Sequence, residues 1–269
     1  MRDPIHIPFA DYAAAELARS GARPQTIDGY RTQLAHILPR LGAIPVGKIR
    51  REHVLEALVE ARDAGLAPKS VYNILLVVRM ILRSAGVRAA DGLKVGVPDA
   101  DVRPLGREEA GRLRHALDPK IYADAAVLAL LGTGLRLGEL ERLRRQDWDG
   151  QTLRIASLPG APTKSGRGRL VDVASWAHEA VETLLARPRS PLARNTLRRH
   201  LAARCREARV PEIRIHDLRH TRATLLLLVG VPLLYVSQQL GHHDPGFTLR
   251  VYGHLIAATK EDRLRWADA

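Results

Sequence analysis

The sequence predicts a mainly α-helical protein of two domains, the second an α+β unit with one small antiparallel sheet. Three observations carry that expectation. Apolar residues recur at i, i+3 and i+4 through most of the chain. Only two short runs, TLRIAS (152–157) and RLVDV (169–173), read as strands, joined by the turn-rich LPGAPTKSGRG. Periodicity lapses from about 86 to 104 (GVRAADGLKVGVPDADVRP), where Gly, Pro and Asp collect as in a linker. At 269 residues, the chain can give each side of that linker its own apolar core.

Taken in order, residues 9–20 (FADYAAAELARS), 26–38 (TIDGYRTQLAHIL), 51–62 (REHVLEALVEAR) and 69–85 (KSVYNILLVVRMILRSA) are the helices expected of a first domain over 1–90. Thr26 and Ser70 stand where N-caps belong. A linker over 91–104 leads to a second domain over 105–269. Its helices are expected at 107–117, 120–131 and 138–146, then, after the two strands, at 175–187, 194–208, 217–229 and 232–240. Gly230 and Gly241 read as helix stops and Pro232 as a residue of a first helical turn.

The charge balance narrows the function. Lys+Arg number 42 against 29 Asp+Glu, a formal +13, which points to an anionic partner and to nucleic acid first. Through residue 100 the count is 14 basic to 10 acidic, and beyond it 28 to 19, so both halves are basic. Cys205 is the only cysteine, which excludes an internal disulfide framework and suits a reducing cytoplasm. The longest apolar run, LLLLVGVPLLYV (225–236), is too short and too broken to span a bilayer, and no signal peptide is visible. A cytoplasmic protein without membrane contact is expected.

Four places hold candidate chemistry. In LLGTGLRLGEL (130–140) the glycines lack the dinucleotide-loop spacing, but Arg136 sits between two leucines at a glycine-made break and needs an anionic partner. Glu139 supplies one if the pair is structural; a phosphate supplies one if it is functional. In PTKSGRGR (162–169), Lys164 is one of six lysines beside 36 arginines. A lysine whose pKa is lowered can release a proton as a general acid where an arginine cannot, although a solvated hairpin tip is the plainer reading.

In RIHDLRHTRATL (214–225), His216, Arg219 and His220 fall on one helical face. Asp217 stands where a zinc-protease motif requires Glu, so anion handling at a helix start fits better than a metal. In GHHDPGFTLRVYGHL (241–255), His242 follows a helix-ending glycine and Tyr252 sits among polar neighbours. Tyr252 is either a surface aromatic anchoring the last helix or a phenol placed to attack. His220, His243 and His254 are read as structural or supporting. The basic stretch 187–214 holds nine arginines against two glutamates, and one face of it is expected along a DNA backbone. Arg198 and Arg199 lead that set, with Arg167 and Arg222 as further candidates.

The order of these groups is more specific than any one of them. The strings TGLRLGEL, TKSGRGR, HDLRHTRATLLLLVGVPLLYVSQQLGHHDP and VYGHL together resemble the tyrosine recombinase (phage integrase) family over 105–255. TIDGYRTQL and SVYNILLVVRMIL resemble the family's helical, SAM-like core-binding domain. About ten residues precede the first expected helix, so the resemblance is to a short form without an arm-binding domain.

The resemblance implies a catalytic domain in which Arg136 and Arg219 clamp the scissile phosphate and His242 adds a donor. Tyr252 attacks, His216 accepts or orients its proton, and Glu139 supports the site. Lys164 protonates the leaving 5′ oxygen. It further implies a 3′-phosphotyrosyl intermediate and a Holliday junction, with no metal, ATP or other cofactor. The implied partners are double-stranded recombination sites, a homo-tetramer on synapsed DNA that is monomeric when free, and an accessory DNA-bending protein. A bacterial or phage source, with nucleoid association when bound, follows from the same resemblance. Two other readings stand beside it. A type IB topoisomerase uses similar Arg, Lys, His and Tyr chemistry, and LLLLVGVPLLYVSQQLG mimics a helix-turn-helix regulator.

Overall fold

The computed structural model describes residues 6–98, 103–157, 168–186, 193–241 and 245–252. The chain divides into two compact units, Met1–Ala100 and Asp101–Ala269. The first is helical: α1 (Phe9–Arg19), α2 (Pro24–Ala35), α3 (Leu38–Leu41), α4 (Arg51–Asp63) and α5 (Pro68–Ser84). Helix α5 supplies the largest share of its core, with Val71, Ile74, Leu75, Val78, Ile81 and Leu82 buried at helical spacing against Phe9, Leu34 and Leu41.

Three local expectations change here, each for a backbone reason. Helices α2 and α5 do not start on Thr26 and Ser70 but one turn position earlier, with Pro24 and Pro68 opening them and no side-chain cap. Proline lacks the N–H that a first turn would leave unpaired, so no side-chain acceptor is needed there. The helix expected over 26–38 ends at Ala35 because Pro39 has no N–H to continue the ladder, and α3 starts afresh. The stretch read as linker is partly core: Ala90 and Leu93 are buried. Arg79 of α5 donates to the carbonyls of Ala90 (3.1 Å) and Leu93 (2.7 Å), and Arg83 pairs with Asp91 (2.8 Å).

The second unit contains α6 (Arg107–His115), α7 (Tyr122–Thr133), α8 (Leu137–Leu140), β1 (Thr152–Ile155), β2 (Arg169–Asp172), α9 (His178–Ala186), α10 (Arg194–Glu207), α11 (Ile215–Leu228), α12 (Leu233–Leu240) and α13 (Pro245–Tyr252). Strands β1 and β2 pair antiparallel, in register from Thr152 opposite Asp172 to Ile155 opposite Arg169. The fold is therefore mainly α with one two-stranded sheet among the described residues. Helix α7 is buried continuously from Asp124 to Thr133, so it is the central helix, with α9 and α11 packed on it.

The helix expected over 138–146 is a single turn. After α8 the chain bends into a 3₁₀ turn at Arg145–Asp147, where the Asp147 carboxylate accepts the Arg144 N–H at 2.9 Å. Pro232 lies just outside α12 as its N-terminal flank and not within its first turn. Among the described residues no helix is long and apolar enough to cross a membrane.

A buried polar cluster anchors α10. Asp124, fully buried on α7, accepts both Nε and Nη2 of Arg204 at 2.9 Å and lies 2.6 Å from His200 Nε2. Leu197, Leu201 and Cys205 fill the same face, which leaves Arg198 and Arg199 exposed on the other.

Close packing at Gly132 seats α7 against the turn that leads into α9. A Cβ at Gly132 would stand 2.5 Å from Ala177 Cβ. Gly132→Ala is expected to lower stability by about 1–3 kcal/mol through overpacking, read by denaturant unfolding. An unchanged midpoint would contradict this packing.

Candidate active site

The site is built where α7 stops. Gly134 takes a left-handed conformation (φ +70°) as the C-cap, and an added Cβ would also meet Leu240 Cδ2 at 2.7 Å. The chain then turns so that Arg136 caps the short α8. Glu139, three residues on, accepts the Arg136 backbone N–H (3.0 Å) and its Nη1 (3.0 Å). The same carboxylate takes two bonds from Arg169 at the start of β2, from Nη1 (3.1 Å) and Nη2 (2.8 Å). Glu139 is 4 % exposed. Burial opposes its ionisation, but the hydrogen bonds and charge of Arg169, and then those of Arg136, hold its pKa at about 2.

Helix α11 brings the next groups. Asp217 accepts the Arg214 backbone N–H (2.9 Å) and pairs with its guanidinium, so the acid that replaces a metalloprotease Glu is a helix cap. Arg219, buried one turn in, donates to Gly134 O (2.8 Å) and Leu240 O (2.5 Å). Burial, and then the charge of Arg136, pull its pKa down to about 9, so it stays cationic at neutral pH.

The C-terminus of α12 is the common acceptor. Arg169 Nε donates to Gln239 O (2.8 Å), Arg219 to Leu240 O, and Arg136 Nη2 to Gly241 O (3.3 Å). Gly241 is left-handed (φ +67°), and a Cβ there would stand 2.8–2.9 Å from the Arg169 guanidinium.

Helix α13 carries Tyr252. It is not a surface aromatic: it is 3 % exposed, clustered with Ala223, Leu227, Val236 and Leu240. Its hydroxyl lies 2.5 Å from His220 Nδ1. His216 stands edge-on to His220, ring centroids 5.0 Å apart, and makes no hydrogen bond among the described residues. Burial raises the Tyr252 pKa to about 12, although Arg219 pulls the other way. Burial, and then His216, lower that of His220 to about 4. At neutral pH the pair is a neutral phenol and a neutral imidazole.

The structure thus brings together Arg136, Glu139, Arg219 and Tyr252, with His216 one ring removed. Lys164, Arg167 and His242 lie outside the described residues. Arg222 is half-buried, with its Cβ and Cγ against Gly134, and is not on an open face. Of the described arginines of the basic stretch, Arg204 is half-buried against Asp124, while Arg194, Arg198, Arg199, Arg206, Arg209 and Arg214 are exposed, Arg206 and Arg214 beside acidic partners. Two site residues escaped sequence reasoning. Arg169 is one arginine in a basic turn, with nothing local to mark it. His220 had a usable signal, its i+4 spacing from His216 on one face, but was set aside as structural. Among the described residues no group of three or more His, Cys, Asp or Glu could hold a metal ion.

Glu139 yields a pH-dependent expectation. Its folded pKa lies below the ordinary 4.5, so its contribution is fully present above about pH 4.5 and is lost as pH falls toward 2. Glu139→Gln should cost about 3 kcal/mol of stability at pH 7 and about half that at pH 3, read by denaturant unfolding at both. A difference that does not narrow in acid would mean the carboxylate charge is not what the arginines hold.

Comparison with known proteins gives the family of the chain. A model described as the phage integrase family matches residues 103–258. Tyrosine recombinase XerD of Halalkalibacterium halodurans is 28% identical over 244 residues, covering 80% of each chain. A putative prophage phiRv2 integrase of Mycobacterium tuberculosis is 28% identical over 95% of this chain and 76% of its own length. Among solved structures, the Tn1549 transposon integrase in complex with a circular intermediate DNA superposes with a TM-score of 0.80 at 18% identity, covering 97% of this chain and 99% of that one. A lambda integrase dimer bound to a COC′ core site gives 0.71 at 18% identity, covering 89% and 95%. With the family model spanning more than half of its length, this chain belongs to the phage integrase family.

Proposed function

We propose that the chain is a tyrosine-type site-specific DNA recombinase, with Tyr252 as nucleophile. The observation that carries this reading is the buried Tyr252 hydroxyl, set on an imidazole in the unit that also gathers Arg136 and Arg219. A five-coordinate phosphorus accumulates negative charge on its non-bridging oxygens, and two guanidiniums held in advance can take that charge without reorganisation. His216, expected from the resemblance to accept or orient the Tyr252 proton, packs on His220 and has no hydrogen bond among the described residues, so it is assigned to the phosphate instead. His242 adds a donor and Lys164 protonates the departing 5′ oxygen. The product is a 3′-phosphotyrosyl link, which a 5′ hydroxyl of a partner duplex resolves without ATP. The first unit serves as the core-binding domain, and the exposed arginines of α10 follow the DNA backbone.

A helix-turn-helix regulator would need neither the buried phenol nor the arginine cluster. A type IB topoisomerase shares the chemistry but does not exchange strands. The lambda integrase tetramer bound to a Holliday junction supports assembly of four copies on paired sites. An accessory DNA-bending protein completes the partner set.

The test uses a pool of nicked duplexes of randomised sequence, from which the full-length protein selects denaturant-resistant adducts. Tyr252→Phe is expected to bind the selected duplexes with unchanged affinity and to form no adduct. Tyr235→Phe, which removes a half-exposed hydroxyl bonded to Asp172, should form it normally. An adduct on Tyr252→Phe, or one mapped outside 251–255, would sink the assignment.

Salt dependence tests the α10 face. Each lost phosphate contact should lower the slope of log K against log salt by about 0.9, so Arg198→Ala with Arg199→Ala should flatten it by up to about 2. An unchanged slope removes these residues from the interface.

A further inference from the structure

We propose that His220 is the proton acceptor for Tyr252: its Nδ1 holds the phenol O–H in the free protein and receives that proton as the phenolic oxygen bonds to phosphorus. The proposal rests on Tyr252 being the nucleophile.

The geometry assigns the roles. The Tyr252 hydroxyl lies 2.5 Å from His220 Nδ1, and the phenol has no other hydrogen-bond partner among the described residues. Both rings are buried, so an O–H hydrogen without an acceptor would be left unsatisfied; donation to Nδ1 satisfies it and places the imidazole's own hydrogen on Nε2. His216 stacks its edge against His220 and does not bond to the phenol. Both histidines sit in the first two turns of α11, whose start is fixed by the Asp217 cap, so the acceptor rests on rigid helix and not on a loop.

The step balances. Oη of Tyr252 forms the bond to phosphorus, the bond from phosphorus to the 5′ oxygen breaks, and the phenol proton moves to His220 Nδ1. A separate acid, assigned above to Lys164, protonates the 5′ oxygen. On rejoining, the 5′ hydroxyl displaces the tyrosine and gives its proton back to Lys164, and the phenolate recovers its own proton from His220.

The surroundings make this acceptor responsive to substrate. The charged and titratable groups facing His220 are His216, Asp217, Arg219 and Arg214 on and beside α11, and Tyr252 on α13. Burial, and then His216, disfavour a positive charge on His220; Asp217 opposes this, and Arg219 and Arg214 add to it. A phosphate seated on Arg219 offsets the arginines' part, so His220 gains some basicity when there is a bond to cut.

The experiment has two arms. In the first, duplexes selected by the wild-type protein are cleaved by His220→Asn, whose amide oxygen can occupy the Nδ1 position and accept the hydrogen bond but cannot take the proton. DNA affinity should be retained, while the rate of adduct formation should fall about a hundredfold or more. A 5′-bridging phosphorothiolate, which removes the need for a leaving-group acid, should not restore the rate. Ring-fluorinated tyrosine at 252, which gives up its proton more readily, should restore it in part. A His220→Asn rate near wild type, or full rescue by the phosphorothiolate, overturns the proposal.

The second arm needs neither DNA nor a variant of His220. Nitrogen NMR of the ¹⁵N-histidine-labelled full-length protein should show a neutral His220 protonated on Nε2, with an Nδ1 shift that moves in Tyr252→Phe. A hydrogen on Nδ1, or no response to Tyr252→Phe, overturns it. Failure of the nucleophile reading is distinct: Tyr252→Phe would then still form adducts, whatever His220 does.

Discussion

Everything in the second unit depends on three guanidiniums meeting the last turn of one helix. Arg169, Arg219 and Arg136 come from a strand, a buried helix and a helix cap, and they end on the successive carbonyls of residues 239, 240 and 241. A helix C-terminus leaves carbonyls unpaired and carries the negative end of the dipole, so cations gather there at low cost. Three of them would still repel one another without Glu139, which pairs with two. Three positive charges and one negative leave a surplus of two. A phosphodiester brings one negative charge and its five-coordinate transition state approaches two, so the surplus matches the transition state better than the ground state. That difference is what accelerates a reaction.

The same contacts join parts of the chain that are far apart in sequence. Arg169 opens β2, and Asp172 at the end of that strand donates its backbone N–H to the Gln239 side-chain oxygen (2.7 Å). The sheet is small, but it is fastened to α12 at both ends of β2. Gly241 is required twice, for its left-handed turn and because a Cβ would displace Arg169. Removing one of these partners would expose charge that the others can no longer offset, which is why buried ion networks fail as units.

Helix periods, the two short strands and the mainly α class were legible in the sequence because each follows from local spacing. Ends were legible less often: Pro24 and Pro68 overrode Thr26 and Ser70, and Asp147 cut short the helix drawn over 138–146. Arg136 could be singled out because a charged residue between leucines asks for a partner, Glu139 as that partner three residues on, and Arg219 because it shares a helical face with two histidines. Arg169 could not, because its partners lie 30 and 70 residues away and nothing in a basic turn predicts which arginine turns inward. The core role of Leu93 within the linker stretch was hidden for the same reason, since it depends on Arg79 satisfying the carbonyls of Ala90 and Leu93.

Tyr252 anchors the last described helix from the interior and not from the surface. Its neighbours in sequence are polar, which suggested either a surface anchor or a reactive phenol. Its neighbours in space are Ala223, Leu227, Val236 and Leu240, and that apolar contact is what fastens α13 to the unit. Burial that anchors the ring also raises the phenol's pKa to about 12, which makes the free group a poor nucleophile. At neutral pH the phenol is therefore neutral, and a neutral imidazole stands against its hydroxyl. Anchoring and hydrogen bonding are set side by side: the apolar cluster holds the Tyr252 ring, and His220 holds its hydroxyl.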